Sequence, residues 1–319
     1  MHALQFTVKG DLDSLQYLEV PTPSAGDGEV LVEIRAAGLN PSDVKNVLGR
    51  FPYTTVPRIP GRDFAGVVVQ GPSHLLGQAV WGTGKGLGFT RDGSHASHIA
   101  LPAEDVALKP PALSFAQAAS CGVPFTTAWD ALQRTDVKAG TTFLVIGANG
   151  AVGDAAVSLA KARGAQVLAA VRRPESLAEL SQRGIPGILL GDPAALPAQV
   201  EEHFQGGAEV IFDTTGFWLP AAVPALGTFG RIAIIAAPVD GNVQLPALAL
   251  YRRGGVLVGV NSLLYTPKEC AAMLDGFGSL FDQALLPLPD ELHEVPLSEG
   301  VARYQAVNGG SSEKFILLP

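Results

Sequence analysis

The sequence predicts an α/β fold in which a doubly wound parallel sheet is inserted into a β-rich domain made from both chain ends. Two rhythms and one loop carry that expectation. Over about the first 120 residues, short apolar runs alternate with Pro/Gly turns, as in a sheet of hairpins and crossovers. From about Pro124 onward, buried runs alternate with helical patterns, the signature of a parallel sheet with crossover helices. The loop is GANGAVG, Gly147–Gly153, which joins the apolar run FLVI to the small-residue run DAAVSLAKARG.

In chain order, MHALQFTV enters a strand pattern at once, and EVLVEIRAAGL (Glu29–Leu39), FAGVVVQ (Phe64–Gln70) and QAVWG (Gln78–Gly82) have strand length and composition. TVPRIPGRDFAG, with two prolines, reads as a loop crossing between strands. TTFLVIGANG, AQVLAAV, EVIFDTTG, GRIAIIAA and GGVLVGVN then read as buried strands, with helices such as AVGDAAVSLAKARG and PESLAELSQRG between them. The tail from about Tyr265 holds an amphipathic helix, the stretch HEVPLSEGVARYQAV and a last strand, KFILLP. The expected division is residues 1–122 with 265–319 as one domain and 123–264 as the inserted one.

Bulk properties exclude several classes. The composition is 47% hydrophobic and 16% charged, with a net charge of −8 and no basic stripe, so nucleic acid is a poor partner. The longest apolar runs, such as IAIIAAPV at Ile232–Val239, are too short to span a bilayer. The 37 glycines and 24 prolines argue against an all-helical protein. Cys121 and Cys270, the two cysteines, cannot build a disulfide framework. With the strand pattern starting at the first residues, this leads to the expectation of a cytoplasmic protein.

The loop Ala148–Gly153 fits the dinucleotide fingerprint G-x-G-x-x-G, with alanine in the first glycine's place. Gly150 would let the backbone approach a pyrophosphate and Gly153 would let the helix pack closely on the strand. Asn149, Ala151 and Val152 complete the cradle at a helix N-terminus, where unpaired N–H groups and the dipole favour phosphate. A Walker A loop is excluded, because Asp154 follows Gly153 where Gly-Lys-Ser/Thr would be needed. An NAD site places an acid about 20 residues past the loop for the ribose 2′-OH. Here Arg172 stands 19 residues beyond Gly153, with Arg173 beside it. An acid would repel a 2′-phosphate, whereas guanidinium groups bind one, so NADPH is the expected cofactor; a pair of solvated strand-end arginines is the alternative.

Several stretches together resemble the medium-chain dehydrogenase/reductase superfamily, in its zinc-free quinone oxidoreductase branch. They are AAGLNPSDVK (Ala36–Lys45), IPGRDFAGVV (Ile59–Val68), PFTTAWDAL (Pro124–Leu132), VIGANGAVG, FDTTG (Phe212–Gly216) and the closing EKFILLP. The resemblance implies a GroES-like β-rich domain around a Rossmann domain. Zinc enzymes of the superfamily carry a cysteine where this chain has Asn40 and a His-Glu pair where it has Arg62-Asp63. Two thiols cannot supply their four-cysteine lobe either, so no metal is expected. His95 and His98 have no acidic or thiol neighbour and read as ordinary polar positions.

Without a Lewis acid, reduction of an isolated carbonyl is hard, while quinones and α,β-unsaturated carbonyls spread the incoming charge. The resemblance implies Asn40 as the active-site asparagine, Thr127 and Asn261 at the nicotinamide end of the cofactor, and Lys314 in a tail that folds toward it. Where the branch often has tyrosine this chain has Phe51; Tyr53, two residues on, either substitutes as the phenol or packs against the loop, and water is the expected proton donor. The branch also implies a homodimer, through the strand GGVLVGV. Two other readings stay open: a non-catalytic NADPH-binding protein, and an enoyl-thioester reductase.

Overall fold

The structure is a computed structural model and describes all 319 residues. The chain divides into two compact units, Met1–Thr126 with Ser262–Pro319, and Thr127–Asn261.

The first unit opens with β1 (His2–Phe6) and β2 (Leu15–Glu19), an antiparallel pair. Then come β3 (Glu29–Gly38), α1 (Pro41–Val47), β4 (Asp63–Gln70), β5 (Ala79–Gly82), β6 (His98–Pro102), β7 (Ala107–Leu108) and α2 (Phe115–Ala119). The helix α3 (Gly122–Arg134) carries the chain into the second unit. β3 is the hub of this sheet, pairing antiparallel with β4, with β6 and with the last strand of the chain. Its apolar positions, among them Val30, Val32 and Ile34, pack with Phe64, Val80 and Leu101 in a fully buried cluster. Removing such surface from water is worth about 25 cal/mol per Å2 and holds the sheet closed.

The second unit runs β8 (Thr142–Ile146), α4 (Ala151–Ala162), β9 (Gln166–Val171), α5 (Pro174–Gln182), β10 (Gly187–Leu189), α6 (Leu196–His203), β11 (Ala208–Asp213), α7 (Leu219–Ala225), β12 (Leu226–Ile234), α8 (Ala247–Arg252) and β13 (Val256–Gly259). All six strands are parallel, in the order β10-β9-β8-β11-β12-β13. That order reverses between β8 and β11, as in the Rossmann fold, and ligands of such sheets bind beyond the strand ends at that switch point. The strands are continuously apolar because helices cover both faces; Phe143, Leu144, Val145 and Ile146 are all fully buried.

The chain returns to the first unit with α9 (Pro267–Asp282), β14 (Leu292–Pro296), α10 (Gly300–Asn308) and β15 (Lys314–Leu318). Thr266 caps α9 and exchanges hydrogen bonds with Glu269, a capping box written in the sequence as TPKE. One expectation is corrected here. His95 is not an ordinary polar position: it is fully buried, with Nε2 3.1 Å from the Gly38 carbonyl and Nδ1 2.8 Å from the Tyr304 hydroxyl. A carbonyl only accepts, so Nε2 carries the proton and Nδ1 accepts from tyrosine. Burial pushes the imidazole pKa down to about 4, so it is a neutral tie across the core. No helix is long and apolar enough to cross a membrane.

Candidate functional site

In the second unit the glycine loop lies at the switch point. The N–H groups of Gly147 and Ala148 both donate to the Ala170 carbonyl, at 2.9 and 3.3 Å, which stitches the loop onto the end of β9. Gly147 takes φ +81°, and a Cβ there would lie 2.5 Å from Thr214 Oγ1. The role of the fingerprint's first glycine therefore falls on Gly147, one residue before the position the pattern assigns to Ala148. A Cβ on Gly153 would lie 2.2 Å from the Gly147 carbonyl oxygen, so only glycine lets α4 approach the loop this closely. Gly150 meets nothing nearer than 3.5 Å and is exposed with Asn149 and Ala151, leaving open backbone in front of the helix. The first-turn N–H groups of Ala151, Val152 and Gly153 have no acceptor within the helix.

Arg172 emerges two residues beyond Ala170, directly after β9, and Arg173 is the N-cap of α5; both are exposed. Asn149 Nδ2 reaches the buried Ser176 Oγ at 3.4 Å, linking the loop to α5. Glu175 sits in the first turn of α5, where a carboxylate favours the helix dipole. Across the switch point, Asp213 ends β11 and accepts from Thr215 N (2.8 Å), Thr215 Oγ1 (2.7 Å), Gly216 N (3.1 Å) and Trp218 N (3.0 Å). Thr214 Oγ1 donates to the Ile146 carbonyl at 2.8 Å. The stretch FDTTG is thus the other wall of the loop, held by one carboxylate. Thr127 is buried within α3 and Asn261 is exposed just after β13.

In the first unit Asn40 is the N-cap of α1, and its backbone N–H donates to Asp43 Oδ2 at 2.9 Å. Its side-chain Nδ2 donates to Asp63 Oδ2 at 2.9 Å. A carboxylate accepts only, so Asp63 holds the amide by its nitrogen, while the side-chain oxygen faces the Asp43 N–H at the start of α1 in a capping box. Asp63 is itself saturated: Thr83 Oγ1 donates at 2.6 Å, and Val123 N–H reaches Oδ1 and Oδ2 at 2.9 and 2.8 Å. A Cβ on Gly122 would lie 2.3 Å from Asp63 Oδ1, which is why glycine precedes that N–H. Burial pushes the Asp63 pKa up to about 6, against the pull of Arg62 and these donors.

Tyr53 is 51% exposed, with its ring 6.0 Å from that of Phe51 and 5.9 Å from that of Phe89. Its loop is fixed by Asn46, which donates to the Gly88 carbonyl and accepts from Thr54 Oγ1, both at 2.6 Å. Partial burial raises the phenol's pKa, so it stays protonated. Lys314 opens β15, paired with Leu292 in the sheet, so the tail that carries it is a strand. The structure thus groups the loop residues with Arg172 and Arg173 in one unit, and in the other places Asn40 against Asp63 and Asp43, and Tyr53 against Phe89, over which the Arg62 guanidinium lies. It adds Asp63, Thr83, Asp213 and Thr214, none of which the sequence reading selected. The tandem Asp-Thr-Thr-Gly after an apolar run was the available signal for Asp213, since such turns need a local acceptor.

Residues 26–111 match the alcohol dehydrogenase GroES-like domain, and residues 151–278 match the zinc-binding dehydrogenase family. A zinc-type alcohol dehydrogenase-like protein of Schizosaccharomyces pombe is 37% identical over 95% of this chain and 92% of its own. The chain is a medium-chain dehydrogenase/reductase. Among solved structures, an alcohol dehydrogenase superfamily protein of Novosphingobium aromaticivorans is 28% identical, with a TM-score of 0.89 over 100% of this chain and 99% of that one. A 2-methylene-furan-3-one reductase of Solanum lycopersicum is 39% identical over 50% of this chain and 44% of that protein. This dehydrogenase/reductase also aligns over 98% of its length, at 29% identity, with a phthioceranic/hydroxyphthioceranic acid synthase of Mycobacterium bovis, of which it spans 15%.

Membership makes the protein an oxidoreductase that uses a nicotinamide cofactor. The residues present at the zinc-ligand positions do not fit zinc. A guanidinium has no lone pair to give, an amide is a poor ligand, and the Asp63 oxygens are taken by three protein groups. No group of three His, Cys, Asp or Glu side chains is placed to hold a metal ion.

Proposed function

We propose that this dehydrogenase/reductase is a zinc-independent, NADPH-dependent reductase of quinones or α,β-unsaturated carbonyls. The observation that carries the reading is the trio Asn40, Arg62 and Asp63: where zinc relatives place metal ligands, this chain holds a buried cation and a carboxylate spent on an asparagine amide. A conjugated acceptor needs less help than an isolated carbonyl, because hydride added at carbon leaves charge delocalised onto oxygen. The tomato relative supports the reading, since its named substrate is an exocyclic enone. The reduced nicotinamide supplies the hydride when bound. The chain's own contributions are the loop N–H groups and Arg172 for the phosphates, and Asn40, fixed by Asp63, beside the acceptor, with water completing protonation.

The test is nicotinamide oxidation with a benzoquinone, a cyclic enone and an enoyl thioester, with and without a chelator, beside alcohol oxidation with NADP+. Chelator-insensitive turnover of quinone or enone is expected; metal-dependent alcohol oxidation would overturn the reading. The synthase alignment favours an enoyl-thioester reductase as the second reading, which preference for the thioester would establish. NADPH binding with no turnover across the panel would point to a non-catalytic role.

The expected partner is a second copy. β13 ends the six-stranded sheet with an unpaired edge, and Val256 on it is 48% exposed, with Tyr251 at 69% and Phe229 at 78% nearby. Light scattering is expected to give twice the chain mass, and Val256→Pro to give a monomer; a wild-type monomer would dismiss this.

A further inference from the structure

Arg62 is only 2% exposed, and nothing in the cofactor or amide chemistry above uses it. Its Nη2 donates to Ser42 Oγ at 2.6 Å and its Nη1 to Ser262 Oγ at 3.4 Å. Its Nε faces Asp43 Oδ1 at 3.9 Å, too far for a hydrogen bond, and neither atom has another partner. The guanidinium also lies 5.7 Å from the centre of the Phe89 ring, which adjoins Tyr53 and Phe51. Asp43 is the acid that faces this charge, and burial pushes its carboxyl pKa up to about 6 in spite of Arg62.

A guanidinium donates and never accepts. Both serine oxygens therefore receive from Arg62, and each hydroxyl hydrogen is left to point elsewhere. Both serines are half-buried, so each reaches the surface that the arginine itself does not. The result is two donors polarised by one fixed cation, two residues beyond Asn40 in sequence at Ser42 and directly before Asp63 at Arg62.

We propose that Arg62 is a positioning residue for an oxyanion site: it turns the Ser42 and Ser262 hydroxyls into donors to the acceptor oxygen that becomes anionic during reduction. This rests on the reductase reading. Hydride with its electron pair passes from the reduced nicotinamide, which is oxidised, to the enone β-carbon or the quinone. The π electrons move to oxygen, which the two hydroxyls hold as enolate or hydroquinone anion until a solvent proton completes the product. The substrate class is an acceptor whose oxygen gathers charge, and the dependence on Arg62 rises as the acceptor holds that charge less well by itself.

Two measurements separate this proposal from the reading beneath it. In the first, 4-nitrophenol is titrated spectroscopically against the protein without cofactor or turnover. Wild type is expected to lower the bound phenol's pKa by about one unit, a tenfold preference for phenolate, and Arg62→Gln to abolish the shift while Arg62→Lys retains part of it. In the second, Arg62→Gln is expected to lower kcat/KM for a simple enone about 100-fold but for an electron-poor quinone about tenfold or less. A structural defect would depress both equally. If Arg62→Gln does not fold, the Asp43→Asn/Arg62→Gln pair, which removes both buried charges, takes its place. An unshifted phenol in wild type, an equal shift in the variant, or equal losses for both acceptors would overturn the proposal. Wild-type inactivity with every acceptor, beside an Arg62-dependent phenol shift, would sink the reductase reading and leave the anion site standing.

Discussion

Asp63→Ala is expected to lower kcat for a conjugated acceptor by about 1000-fold while KM for NADPH changes little. The carboxylate touches neither cofactor nor acceptor in the proposed reaction. It fixes the orientation of the Asn40 amide, and it does so only because Thr83 and Val123 hold it in place. Alanine orphans three buried donors at about 1–3 kcal/mol each, so thermal unfolding is expected at a clearly lower temperature. Asp63→Asn separates the two effects. Its Oδ1 can still accept from Val123 and Asn40, but its NH2 faces donors, so it is expected to fold and to lose about 100-fold in kcat. Equal kcat in wild type and Asp63→Asn would show that the amide's orientation does not matter.

The pH dependence gives a second handle on the same residue. With its pKa raised to about 6, Asp63 takes up a proton just below neutrality, becomes a donor, and releases the Asn40 amide. Activity is expected to fall along an acid limb near pH 6; Asp63→Asn removes this group's share of the limb and leaves that of Asp43, whose pKa burial also raises to about 6. Stability moves the other way for this group. The folded chain binds the proton more tightly than the unfolded chain, whose carboxyl titrates near its ordinary value. The group's contribution to stability is therefore fully present below that ordinary value and lost as pH rises through 6. A fall in activity on acidification is thus not this group unfolding the protein.

What the sequence made legible follows the range of the interactions involved. Periodicity and glycine spacing are local, so the parallel sheet, the β-rich sheet and the loop at Gly147–Gly153 could be read directly, and the structure has both sheets. Within the loop the reading misplaced one role: spacing assigns the first glycine to Ala148, whereas the backbone puts the positive φ and the contact with Thr214 on Gly147. The Asp63 network was not legible, because its members lie 23, 20 and 60 residues from Asp63 and meet only through packing. The same holds for His95, joined to Tyr304 across 209 residues. Arg62 was legible as a lost metal ligand but not as a buried charge, since burial of an arginine depends on what packs over it.

Arg172→Asp is expected to shift the preference for NADPH over NADH by about 1000-fold, the other large effect. Two charge-assisted hydrogen bonds to a 2′-phosphate, at about 1.5–3 kcal/mol each, amount to roughly that factor before repulsion by the new carboxylate is added. The position is suited to the role. The loop is bonded to Ala170, and Arg172 leaves the strand two residues later and is exposed. NADH should bind the variant at least as well as wild type, because an acid there can take the ribose hydroxyls. Arg173→Asp tests the alternative that the N-cap arginine of α5 carries the phosphate. Dissociation constants for both nucleotides, measured by nicotinamide fluorescence, decide the matter: an unchanged NADPH-to-NADH ratio in both variants means that neither arginine reads the 2′-phosphate. A change confined to Arg172→Asp assigns that charge to the end of β9, next to the loop that already presents its N–H groups.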